Sequence, residues 1–203
     1  MSTRTSMIGA ALLAAALSAS TASAHDPKDQ ARENMEATMQ AWQKAATPGA
    51  QHRQLADHFV GTWTTKQTMW MDPSAPPMTE TGKSVNTAVL GGRQIRMDFS
   101  SRWMGQPFEG VAHTGYDNVR GKYTSSWIDN MSTGTMLTDG DYEPATRTYT
   151  FRGEMADPSK DGAKVAIRET VRIVDADHHV MEMYEPRGGK EVMTMRIEYA
   201  RSK

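Results

Sequence analysis

The sequence predicts one mainly β domain, a single closed antiparallel barrel of about ten strands preceded by one or two helices. Apolar and polar residues alternate in short runs over residues 59–201, which is the pattern of half-buried strands. Turn residues such as Gly91-Gly92 and Gly188-Gly189 keep the connections short. No helical segment separates the runs, which argues against a parallel sheet. Closure into a barrel would also remove the exposed strand edges.

The first residues have the pattern of a secretory signal peptide over residues 1–24. Arg4 is followed by the apolar stretch Ile8–Leu17 and by Ala22-Ser23-Ala24, a small-x-small cleavage site. The apolar stretch is shorter than the roughly 20 residues that span a bilayer, and no second one follows. We therefore expect a periplasmic or secreted protein with no integral membrane anchor.

Length and composition restrict the class of protein. Cleavage after Ala24 would leave 179 of the 203 residues, enough for one domain, with a helical segment over residues 25–58 and the barrel over residues 59–203. The chain has no cysteine, which excludes disulfides, thiolate metal sites and cysteine nucleophiles. The net charge of −1 becomes −2 after loss of Arg4, and a near-neutral surface argues against nucleic acid as a partner.

Two helices are predicted before the barrel. Asp26-Pro27 is a helix-start signal, and Met35, Met39 and Trp42 recur at helical spacing over residues 28–46. A second short helix is expected to run from Thr47-Pro48 to about residue 57. The helices would pack on the open end of the barrel, either as a structural cover or as a lid over a ligand.

Ordered motifs along the barrel resemble one bacterial family, domain-of-unknown-function family 1579, over about residues 42–201. The resemblance implies a calycin-like (lipocalin-like) barrel, and it implies no activity, cofactor or catalytic residue. The motifs include His52-x-x-Leu55, Gly61-Thr62-Trp63, Leu90-Gly91-Gly92-Arg93, Pro107-Phe108-x-Gly110, Gly115-Tyr116-Asp117-Asn118, Trp127-Ile128-Asp129-Asn130, Glu182-Met183-Tyr184-Glu185 and Ile197-Glu198-Tyr199-x-Arg201.

The start of the first strand resembles the lipocalin opening. That resemblance implies that Gly61 allows a close approach at the barrel floor and that Trp63 fills the closed end. It also implies a late-strand arginine stacked on Trp63, either Arg201 or Arg196, in a cation–π contact worth about 0.5–2 kcal/mol. Gly61, Trp63 and Arg201 are therefore predicted to form a structural floor.

Glu169 interrupts an otherwise apolar face. Ile167 and Val171 flank it at two-residue spacing within the predicted strand over residues 164–174. A carboxylate pointing into a barrel must be paired, hydrated or protonated. It could anchor a ligand or act as a general base; alternatively it forms an internal salt bridge, or a bulge turns it outward.

A cavity lined from several strands is predicted inside the barrel. Gln67 shares a face with Trp63, and His113 shares one with Val111; both could be polar groups in an apolar lining, although His113 could also be a core histidine. The predicted ligand-binding residues are Gln67, Met69, Met97, His113, Trp127, Glu169 and Met195.

Methionine is abundant, and three pairs occupy alternate positions of predicted strands: Met69/Met71, Met181/Met183 and Met193/Met195. Thioethers can bind Cu(I), and His178-His179 lies near one of the pairs. The simpler interpretation is a flexible apolar lining that adapts to irregular space.

No catalytic motif accompanies these features. The sequence has no G-x-S-x-G, H-E-x-x-H, phosphate-cradling loop or dinucleotide fingerprint. The leading hypothesis is an exported barrel that binds a small apolar molecule, with no enzymatic activity and no cofactor. One alternative is an enzyme with Glu169 and His113 as acid and base; the other is a periplasmic copper-binding protein that uses Met and His. The oligomeric state is not predicted.

Overall fold

The computed structural model describes residues 26–72, 75–158 and 160–203. The predicted signal peptide lies outside the described residues. Within them the chain forms two α-helices, one short 3-10 helix (Leu90–Gly92) and ten strands: α1 Pro27–Ala46, α2 Ala50–Phe59, β1 Gly61–Met69, β2 Met78–Val89, β3 Gln94–Trp103, β4 Gln106–Asp117, β5 Lys122–Asp129, β6 Met136–Glu143, β7 Thr148–Ala156, β8 Lys164–Ile173, β9 His178–Arg187 and β10 Lys190–Arg201.

The ten strands form one closed antiparallel barrel. Each strand pairs with its neighbours in sequence, and β1 closes the ring by pairing with β10 from Trp63 opposite Arg201 to Met69 opposite Met195. The predicted mainly β barrel is therefore confirmed. The first strand is shorter than predicted: it ends at Met69, so Met71 lies beyond it and is exposed.

Alternation along β1 defines the interior. Trp63, Thr65, Gln67 and Met69 are buried, whereas the residues between them are exposed or half-buried. Successive strand side chains point to opposite faces, and directly paired residues share a face. The strand register therefore identifies the inward residues all the way round the barrel.

Helix α2 fills one end of the barrel, which we call the floor. Leu55 is 1% exposed and packs in a core cluster with Ile95, Tyr123, Tyr149 and other inward residues from β3, β5, β7 and β8. The helix passes directly into β1, which starts at this end. The opposite end, where β1 stops and β10 begins, is the mouth. The predicted packing of a helix on one end of the barrel is therefore confirmed for α2, but that end is the floor and not the mouth.

Residues 41–203 form one compact unit that includes the end of α1. The side-chain amide of Asn118, in the β4–β5 turn, donates hydrogen bonds to the carbonyl oxygens of Ala45 (3.0 Å) and Thr47 (2.8 Å). This contact satisfies carbonyl groups that a helix end leaves free. It also anchors the end of α1 beside the β4–β5 turn, which lies at the floor end of the barrel and not at the mouth.

The predicted amphipathic helix α1 forms, but none of its residues is buried. Met35, Met39 and Trp42 are 68%, 64% and 68% exposed. The helix that provides apolar side chains to the floor core is α2. Among the described residues, no helix is long and apolar enough to cross a membrane.

Candidate functional site

A cavity of about 430 Å³ opens at the mouth of the barrel. We call it the mouth cavity. Thioether, indole and aliphatic groups make up most of its wall. The apolar wall includes Met69, Trp70, Met71, Trp103, Met155, Val165, Met183 and Met195, and the polar side chains at the rim include Glu185, Arg187 and Thr194.

The polar groups at the rim bind one another. Arg187 Nη1 donates to the carbonyl oxygens of Trp70 and Met71, each at 3.1 Å. Thr194 Oγ1 donates to Glu185 Oε1 at 3.0 Å, and Glu185 lies 3.6 Å from the Arg187 guanidinium. These contacts hold the segment after β1 against β9. Glu185, Arg187 and Thr194 are therefore engaged with one another or with backbone carbonyls, and Asp157 is a further polar residue of a mostly apolar lining.

Two of the residues predicted to bind a ligand, Met69 and Met195, lie in this wall. They are directly opposite each other on β1 and β10. Met183, from one of the methionine pairs interpreted above as flexible apolar lining, lies in the same wall, and so does Met155. The two-residue spacing of Met181 and Met183 predicts that they share one face of their strand, whereas no pattern in the sequence indicates a position for Met155.

Gln67, Met97 and Trp127, like Glu169, lie in the interior but not in the wall of the mouth cavity. Gln67 is buried, and its Nε2 donates to Ser101 Oγ at 2.5 Å. Met97 and Trp127 pack against the core cluster that contains Phe99. On β1, Gln67 is one inward position nearer the floor than the wall residue Met69.

Glu169 points into the barrel, as its strand pattern predicts. It is opposite Phe151 on β7 and opposite Met183 on β9. Among the described residues its carboxyl group has no hydrogen-bond or ion-pair partner. Burial raises its pKa to about 7, because a low-dielectric interior disfavours the charged form. Near neutral pH this carboxyl group can therefore both donate and accept a hydrogen bond.

The prediction that His113 lines the interior is wrong. His113 is exposed, and its neighbours on the inward face of β4 are Ala112 and Thr114. In register it lies opposite Arg96 and Ser126. Glu169 and His113 are therefore on opposite sides of the barrel wall and cannot act as acid and base on one bound molecule.

His179, which no sequence pattern placed in the interior, is buried near the floor. It is 2% exposed and stacks on Tyr199 with ring centroids 4.2 Å apart. The edge of Trp63 is also close, at 4.5 Å between centroids. Burial lowers the His179 pKa to about 3, so the ring is neutral, and its Nδ1 has no hydrogen-bond partner among the described residues.

The proposed copper set of Met and His does not form as predicted. His178 is exposed and its Nδ1 lies 2.9 Å from Asp175 Oδ1, while His179 is enclosed by aromatic rings. Both are at the floor end of β9, away from the mouth methionines. In the described part of the chain, no group of three or more His, Asp or Glu side chains could hold a metal ion.

Trp63 lies at the floor under Arg201. The Arg201 guanidinium carbon is 4.1 Å from the Trp63 ring centroid, and Arg201 Nη1 donates to the Val60 carbonyl at 2.7 Å. Gly61 has φ +139°, and a Cβ at this position would collide with the Arg201 guanidinium. Arg196, the other arginine considered as a partner of Trp63, instead forms ion pairs with Glu182 and Glu198.

Residues 47–201 match a family described as "Protein of unknown function (DUF1579)". The chain belongs to this family. No curated protein matches the chain. Among solved structures, this family member resembles the crystal structure of Rv2717c from M. tuberculosis, with a TM-score of 0.57 and 15% sequence identity. The match covers 77% of this chain and 100% of that one. At this identity the likeness shows the barrel fold alone.

Proposed function

We propose that this protein binds a small, largely apolar molecule in the mouth cavity. The observation that carries the proposal is the cavity of about 430 Å³ walled by methionine and tryptophan side chains. Ligand sites are usually concavities of roughly 300–1,000 Å³ with an apolar wall and few polar groups. Methionine thioethers are flexible enough to adapt to more than one ligand shape.

Glu169 would give the ligand an orientation. Glu169 does not itself line the mouth cavity, but it lies directly opposite Met183, a wall residue, in the strand register. Its carboxyl group has no partner among the described residues, so a polar group on the ligand could bind there without displacing an existing contact. The proposed ligand is therefore an apolar molecule with one hydrogen-bonding end directed toward the interior.

A larger side chain in the cavity wall should block binding. We expect Val165→Phe to weaken the binding of an environment-sensitive apolar fluorescent probe by about tenfold or more, which corresponds to about 1.4 kcal/mol, because the added ring occupies the cavity. The matched control is Leu137→Phe, at a position on the outer wall that is 65% exposed. Fluorescence titration measures both affinities. Equal affinity in the two variants, or no binding by the wild type, would contradict the proposal.

We also propose that the protein is exported and acts in the periplasm or outside the cell. The support is the sequence pattern of residues 1–24, with its apolar stretch followed by Ala22-Ser23-Ala24. Protein isolated from the cells that make it should begin at His25. Intact-mass measurement and N-terminal sequencing test this, and a mature chain that retains Met7 would refute it.

A further inference from the structure

Four methionines lie side by side across four strands at the mouth. Met78 on β2 is opposite Met69 on β1, and Met69 is opposite Met195 on β10. Met195 is in turn opposite Met183 on β9, just past a register irregularity between Met193 and Met195. We call Met78, Met69, Met195 and Met183 the methionine row. Met69 and Met78 belong to one pair of consecutive strands and Met183 and Met195 to another, and the pairing of β1 with β10 that closes the barrel brings the two pairs together.

The thioethers of this row can converge. Directly opposite residues on one face of an antiparallel pair have Cβ atoms about 4.5–5.5 Å apart, and a methionine side chain has three rotatable bonds. Met69, Met195 and Met183 all line the mouth cavity, so their side chains share one space. Neighbouring sulfur atoms can therefore approach a common point in that space.

The composition of the row differs from that of the next row toward the floor. Two residues earlier on β1 is Gln67, which is opposite Ile197. Ile197 is opposite Met181, so that row has a single methionine over the same three strands. Leu or Ile, which have better-defined rotamers, would provide a more rigid apolar lining, whereas methionine adds both flexibility and a soft sulfur donor. Three adjacent thioethers at the cavity level therefore suggest a property of sulfur itself.

We propose that Met69, Met195 and Met183 form a Cu(I) site with three thioether ligands and that Met78, at the end of the row, can supply a fourth. Soft thioether ligands select Cu(I) over harder divalent ions. Zinc would require imidazole, thiolate or carboxylate ligands, and the described residues hold no cluster of three or more of these groups. The inference depends on the strand register and not on the proposed binding of an apolar molecule.

Competition with a chromophoric Cu(I) chelator, bicinchoninate, tests the site under anaerobic conditions with ascorbate. The wild-type protein should remove one equivalent of Cu(I) from the chelator and should leave Zn²⁺ unbound. Met69→Leu and Met195→Leu should each weaken Cu(I) binding by about tenfold or more; Leu replaces Met with little change in volume. Met39→Leu is the matched control, because Met39 is an exposed methionine of α1.

A second measurement identifies the ligands directly in the wild-type protein, whether or not the variants fold. With methyl-¹³C methionine labelling, Cu(I) should shift the methyl resonances of Met69, Met195 and Met183 and leave that of Met39 unchanged. Failure of the wild type to take up Cu(I), or shifts confined to methionines outside the row, would overturn the site. Apolar-probe binding retained by a protein that takes up no Cu(I) would overturn the copper site and leave the proposed function standing.

Discussion

Replacing Trp63 with alanine should lower the free energy of unfolding by about 3–5 kcal/mol, the usual loss for a large buried aromatic side chain. Trp63 is 1% exposed, and its indole Nε1 donates to the Phe59 carbonyl at 2.9 Å. The substitution would leave a cavity between His179 and Arg201, both of which contact the ring. It would also leave the Arg201 guanidinium without its aromatic partner. Urea denaturation at equilibrium measures the change.

The exposed Trp42 of α1 provides the control for this experiment. Because Trp42 is 68% exposed, Trp42→Ala should change the free energy of unfolding by no more than about 0.5 kcal/mol. A milder variant, Trp63→Phe, should fall between the two, since it keeps an aromatic ring but loses the indole donor. A loss below about 1 kcal/mol for Trp63→Ala would contradict the packing of the floor.

The second large effect concerns Glu169 and pH. Burial raises the Glu169 pKa from 4.5 to about 7 in the folded protein. Between these two values the folded state keeps a proton that the unfolded state has lost, so folding becomes less favourable as the pH rises. The contribution of Glu169 to stability is fully present below pH 4.5, decreases through this interval and is lost above about pH 7. At about 1.4 kcal/mol per pKa unit, the decrease is about 3 kcal/mol.

Glu169→Gln should abolish this decrease, since glutamine does not titrate. We therefore expect the free energy of unfolding of the wild type, minus that of the variant, to fall by about 3 kcal/mol from pH 4.5 to pH 7.5. Taking the difference removes the contribution of His179, whose lowered pKa acts in the opposite direction below pH 6.5. Urea denaturation at several pH values gives both quantities.

Glu191 supplies the comparison for the pH experiment. Its hydrogen bond with Arg168 lowers its pKa. The Glu191→Gln protein should therefore still show the loss of unfolding free energy between pH 4.5 and pH 7.5 that Glu169 causes. A difference between wild type and Glu169→Gln that does not change with pH would show that Glu169 is solvated or paired in solution.

The fold could be predicted from the sequence because strand burial repeats every two residues and the connections are short. The residues of β1 show this clearly: Trp63, Gln67 and Met69 were assigned to one face and all three are buried. The ring of ten antiparallel strands follows from such patterns repeated along the chain. The position of α2 does not follow from them, since helical periodicity predicts an apolar face but not the end of the barrel on which that face packs.

The predicted inward orientation of His113 was wrong because of the small residues on β4. On β4 the inward residues include Gly110 and Ala112, which are small, whereas Val111 on the outer face is apolar. A Cβ on Gly110 would collide with the Trp127 indole, so the large ring from β5 occupies the space and requires a small neighbour. Hydrophobicity alternation cannot detect an inward face that is made of small residues.

Only some of the residues that line the mouth cavity could be predicted from the sequence. Met69 and Met195 are strand residues whose faces follow from alternation, and both line it. Trp70 and Met71 line it from the segment after β1, where no periodicity constrains the side chains. Arg187 fixes that segment through its hydrogen bonds to the two carbonyl oxygens, a contact between residues more than a hundred positions apart that no local pattern reveals.

The seam between β1 and β10 also governs when the chain can finish folding. The hydrogen bond from Arg201 to Val60 joins residues 141 positions apart, so closing the ring carries the entropy cost of a very long loop. Proteins dominated by such distant contacts fold slowly. During synthesis, β1 stays an unpaired edge along the side that β10 will occupy until the last strand leaves the ribosome. An incomplete chain would therefore present an aggregation-prone edge, and a truncation within β10 would keep that edge open for the lifetime of the protein.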